Sequence, residues 1–137
     1  MSRELIAANI VTQLKTVTSV RLVTREPFDF EKLSNAQYPA ILVRTGREDR
    51  QDINLDRGRQ ATIDYSLICY IKSSSIDTAR NNLVAAVENK LTEDVTRGGY
   101  ALDTQVVSIE TDEGSIHPIG GVIITVRVSY TFDRGNA

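Results

Sequence analysis

The chain has 137 residues, 41% of them hydrophobic and 25% charged, and its 16 basic and 18 acidic side chains leave a formal charge of -2. That length suits one domain able to bury roughly two thirds of its unfolded surface, which argues against global disorder, and the charge makes no global footprint for nucleic acid or anionic lipid. A lone cysteine, Cys69, excludes an intrachain disulfide, neither a Cys pair nor a His cluster offers a zinc site, and no apolar run approaches the roughly 20 residues of a membrane span.

The start, Met1-Ser2-Arg3-Glu4, lacks the layout of a secretory signal, so a cytosolic protein without membrane contact is expected. Arg3 to Val17 then places Ile6, Ile10 and Leu14 four apart, with Leu5, Ala7 and Val11 beside them, which predicts an amphipathic helix with Ser2 as N-cap. Val20 to Thr24 reads as a short strand before Pro27, and Asp29 to Ser34 has room for one helical turn. Tyr38-Pro39 opens a second strand, Ala40 to Val43, whose unbroken apolar run predicts burial on both faces.

Arg44 to Gln60 is polar except for Ile53 and Leu55, and it predicts a long charged connection. Strict alternation returns from Ala61 to Lys72, a strand with one face on the core, and Cys69 falls on its inward side as a small buried hydrophobe. Ile76, Ala79, Leu83, Val87 and Leu91 recur at helical spacing, with Ser75 or Asp77 as cap and Gly98-Gly99 as the stop. The last third alternates over Leu102 to Glu110 and again over Val122 to Phe132, two strands of a long hairpin joined through the turn-rich stretch from Asp112 to Gly121. Residues from Asp133 to Ala137 read as a frayed tail. The order predicts a single α+β domain spanning residues 1–137: a mainly antiparallel, mixed β-sheet with two main helices on one face and a long charged loop.

Catalytic chemistry finds little here. His117, the only histidine, sits beside Pro118 with no nucleophile or orienting carboxylate near it in sequence. Gly98-Gly99 follows a helix instead of opening one, and Gly120-Gly121 precedes a strand as a hairpin bend, so neither pair resembles a phosphate cradle. Glu110, Asp112 and Glu113 cluster at a strand end but lack the alternating oxygens of a calcium loop. No catalytic, cofactor or metal residue is assigned. The unusual feature is the charged stretch, where Arg44, Arg47, Arg50, Arg57 and Arg59 alternate with Glu48, Asp49, Asp52 and Asp56. Such mixing suits a polar protein interface better than phosphate tracking. A mobile solvated loop is the plain alternative.

The helix Leu5 to Leu14, the Tyr38-Pro39-Ala40-Ile41 strand opening, the charged connection, the strand ending Leu67-Ile68-Cys69-Tyr70, the Asp77 to Leu91 helix and the closing strand Gly121 to Tyr130 together resemble the tail terminator (tail completion) proteins of tailed bacteriophages. The resemblance spans nearly the whole chain but rests on order and texture. It implies a virion protein, assembled in the bacterial host cytoplasm, that forms a homo-oligomeric ring, a hexamer, at the head-proximal end of the tail tube. Such a ring stops tube polymerisation and offers the tail-neck docking surface. Its partners would be further copies of itself, the tail tube protein and a neck or connector protein, with DNA only in transit. No active site or cofactor is implied. Six copies would carry roughly -12, compatible with a weakly repulsive channel. The five arginines are then expected to reach a neighbouring protomer or the tube. Another head-tail joining protein, or a ligand-binding module or enzyme using Asp64, Tyr65 and Tyr70, would be the alternatives.

Overall fold

The computed structural model describes residues 2–52, 58–112 and 119–133. Helix α1, Ser2–Leu14, buries Ile6, Ala7, Ile10 and Leu14, the residues that the spacing selects. It already includes Ser2 and stops three residues short of Val17. There the chain tightens, with Thr16 and Val17 donating to the Gln13 and Leu14 carbonyls and the Thr16 hydroxyl capping Gln13 at 2.6 Å. Strands β1 (Leu22–Thr24) and β2 (Ala40–Asp52) are parallel neighbours, and two single 3₁₀ turns, Phe30–Lys32 and Asn35–Gln37, lie on the crossover between them. Strand β3 (Gly58–Lys72), helix α2 (Ile76–Thr92) and strands β4 (Asp103–Thr111) and β5 (Ile119–Asp133) complete a five-stranded sheet of order β1-β2-β3-β5-β4, antiparallel at every pair but the first.

The α+β expectation therefore holds, with a mixed sheet and two helices. Alternate residues of β3 and β5, from Ala61 to Ile71 and from Val122 to Phe132, are buried in one core with α1 and α2. Cys69 lies in that core, and burial pushes its thiol pKa up to about 12. Ala40 to Val43 are buried on both faces, as the unbroken apolar run requires. The opposite face of the sheet carries no α-helix among the described residues, and Tyr70 there stacks on Phe30 at 4.6 Å, with Phe28 meeting it edge-on at 5.8 Å.

Several expectations need correction. The described part of the charged stretch is strand, not loop: through Asp52 it continues β2, and from Gly58 it is already β3, while 53–57 lie outside the described residues. The stop after α2 is not the glycine pair. The helix ends at Thr92, and the buried Arg97, at a φ of 50°, donates from Nη2 to the Leu91 and Asp94 carbonyls. Gly98 and Gly99 extend that left-handed turn with φ of 73° and 94°. Gly120 and Gly121 belong to β5 and make no bend. A Cβ at Gly120 would strike Ile76, so its role is to let α2 approach the strand. Ser75 is the N-cap of α2 but makes no side-chain capping bond. Asp133 ends β5, while 134–137 lie outside the described residues, as do Glu113, His117 and Pro118.

Candidate assembly surface

Beyond Val43 strand β2 runs along the rim of the core, beside rows of β3 and β5 whose helix-side residues stay buried. Strand β2 is exposed at nearly every residue from Arg44 to Asp52, and its partner β3 is in turn paired with β5 down to Gly58 against Asp133. The charged stretch is thus one side of a three-stranded ledge. It bends at an irregularity between Thr45 and Glu48, where Gly46 is required because a Cβ would sit 2.8 Å from the Asp64 carbonyl oxygen.

Ionic pairs hold the ledge. Glu48, its side chain only 8% exposed, accepts from the Tyr130 hydroxyl at 2.7 Å, meets Arg3 Nε of α1 at 3.3 Å, and binds Arg50 Nε. Three elements converge on this one carboxylate. Burial, and then the Glu48 charge, push the Tyr130 hydroxyl pKa up to about 12, and Glu48 raises that of Arg50. The Arg50 guanidinium also lies 4.6 Å from the Phe132 ring centroid, a cation–π contact. Arg59 pairs with Asp52 at 3.1 Å, and Arg47 with Asp49 at 3.1 Å on the exposed bulge. On the face without α-helices, Arg127 forks onto Asp64 at 2.9 and 3.2 Å.

Of the five arginines expected at an interface, Arg47, Arg50 and Arg59 are therefore occupied by carboxylates of the same ledge. Arg44 is exposed and makes no ion pair among the described residues, and Arg57 lies outside them. Sequence reasoning missed Glu48 as a hub, because its partners Arg3 and Tyr130 are far away along the chain. It also missed Arg80, which is buried and ties α2 to the end of β4 by donating to the Asp112 carboxylate at 2.9 Å. Asp112 receives the Gly121 N–H as well, so this acidic residue is spoken for by protein.

The three residues of a possible assembled site do not converge. Tyr65 is fully buried on the helix face and donates to the Arg3 carbonyl at 3.3 Å, whereas Asp64 and Tyr70 lie on the opposite face. A shallow open groove of about 280 Å³ on that opposite face is lined by Ile68, Tyr70 and Ile123, with Glu110 and the engaged Asp112 as its carboxylates. Among the described residues no three metal-ligating side chains come together, and no helix is long and apolar enough to cross a membrane.

No family profile matches the chain, and no curated protein matches it. A solved structure does. A chain of the virion of a native gene transfer agent particle superposes with a TM-score of 0.55 at 12% identity, covering 92% of this chain and 94% of that one. The two chains share a fold from end to end. At that identity the likeness is one of backbone architecture.

Proposed function

We propose that this protein is a structural component of a phage-type particle, working as a tail terminator: a ring, hexameric by the family resemblance, that caps the head-proximal end of a tail tube and receives the neck. The observation that carries the reading is the match to a chain of a gene transfer agent virion over 92% of this chain and 94% of that one. The candidate groups for chemistry agree with a mechanical role, since Asp64, Tyr65 and Tyr70 are split between two faces and Asp112 is held by Arg80.

In this reading the helix-backed sheet is the rigid body and the ledge is the contact element. Head-to-tail closure of a ring needs two different patches on each protomer, and an exposed ionic ledge at one edge of the sheet supplies one of them. The near-neutral charge of -2 keeps the ring from gripping the DNA that passes through it. Electron microscopy of the protein mixed with purified tail tubes, and separately with heads, tests the proposal. Density at one end of each tube, with elongation arrested, is the expected result. Binding to heads alone would reassign the protein to the head side of the joint, and indifference to both would overturn the structural reading.

A further inference from the structure

Among the described residues two edges of the sheet are open. β1 covers β2 only at Ala40, Ile41 and Leu42, so from Arg44 to Gln51 the outer edge of β2 has no strand beside it among the described residues. At the far side of the sheet β4 pairs, among the described residues, with β5 alone, and its outer edge has no strand beside it from Asp103 to Thr111. Each edge carries backbone donors and acceptors that a passing strand can satisfy.

We propose, building on the ring reading above, that the β2 edge of one protomer pairs with the β4 edge of a second copy, so that the sheet continues from subunit to subunit. Direction favours it. β2, β3, β5 and β4 alternate in sense, so a copy placed to continue the sheet brings its β4 against β2 antiparallel, the more stable arrangement. Charge favours it too. β4 bears Asp103 and Glu110 and no basic residue, while Arg44, among the described residues, is the ledge arginine without a carboxylate of its own. Arg44 and Glu110 lie on the same face of the sheet, through the rows Arg44–Ser66–Thr125–Ser108 and Leu42–Ile68–Ile123–Glu110. Setting Arg44 opposite Glu110 also places Arg47 against Val107, so the irregularity between Thr45 and Glu48 faces the one between Val106 and Ser108, and the ladder is interrupted in one place only. The contact would cover Val107 and Ile109, which are 38% and 46% exposed on the open strand. Pairing β4 with another β4 would instead bring Asp103 near Glu110, acid against acid.

The full-length double variant Arg44→Cys/Glu110→Cys, oxidised after assembly alone or on tail tubes, should yield a covalent ladder that ends at the closed ring. Either single variant should stay uncrosslinked, since the native Cys69 is buried. In parallel, Arg44→Glu should weaken association about fivefold per contact and Glu110→Arg in the same chain should restore it. Rings that form normally yet give no ladder, or dimers from Arg44→Cys alone, would overturn the edge pairing and leave the ring reading standing. A protein that assembles neither with itself nor with tubes or heads would remove both.

Discussion

Strand β2 is two different strands laid end to end. Ala40 to Val43 are buried on both faces, whereas Arg44 to Asp52 are largely exposed and stay extended at the rim of the core, with the Glu48 side chain turned inward. The first half is held by burial, at about 25 cal/mol for each Å² of apolar surface removed from water. The second half is held by the backbone ladder to β3 and by carboxylate–guanidinium pairs across and along the strands. A strand needs a partner for its hydrogen bonds more than it needs a buried face, and β3, paired on both sides down to Arg59, is that partner. The consequence for function is a division of labour. The buried half fixes the body, and the exposed half is free to be chosen for what it meets.

That contrast predicts unequal costs of substitution. Leu67→Ala, in the fully buried part of β3, should cost about 3 kcal/mol and move the urea midpoint without changing the slope of the transition. Glu48→Ala should cost less, about 1–3 kcal/mol, by leaving Arg50 and the Tyr130 hydroxyl without their shared acceptor. If Glu48→Ala proved as costly as Leu67→Ala, the ledge would be part of the folding core and the division would fail.

The body was legible in the sequence because burial writes a period. Ile6, Ile10 and Leu14 mark a helix face, and Ala61 to Ile71 mark a strand, and the structure places both where the periods do. The ledge was not legible as a strand. Most of its residues are exposed and the one that turns in, Glu48, is charged, so no apolar alternation is imposed, and the irregularity at Gly46 and Arg47 would have broken any period that existed. The charges were visible as a site, but their pairing was not: Arg47, Arg50 and Arg59 are matched by Asp49, Glu48 and Asp52 through strand geometry and register. Glu48 and Arg80 were hidden for a related reason, since each gains its meaning from partners that only folding brings near.

Alkaline pH offers a gentler probe of where the two halves join. The folded protein keeps the Tyr130 proton up to about pH 12, chiefly through burial and secondarily through Glu48, while the unfolded chain releases it near pH 10. Between those values the unfolded state binds fewer protons, so stability should fall as pH rises through that window and be unaffected by this group below it. Burial raises Tyr65 in the same direction. Tyr130→Phe should therefore make the decline shallower without abolishing it, as followed by chemical denaturation at several pH values. An unchanged profile would mean that the Tyr130–Glu48 contact opens before the protein unfolds.

The smallest effect is expected at Arg47, and its smallness is informative. Its pair with Asp49 is exposed, with side-chain exposures of 83% and 70%, and such pairs contribute about 0–1 kcal/mol. Arg47→Ala should shift stability by less than about 0.5 kcal/mol in a denaturation curve, because neither water nor the ladder to β3 notices the loss. Yet the same residue sits on the bulge that the paired edge of a second protomer would cover, where desolvation makes a charge pair matter more than it does in water. Arg47→Ala should thus leave the isolated chain as stable as before and weaken its association, measured by light scattering across a protein dilution series. A loss of stability equal to the loss of association would tie Arg47 to the fold and end its claim as a contact residue.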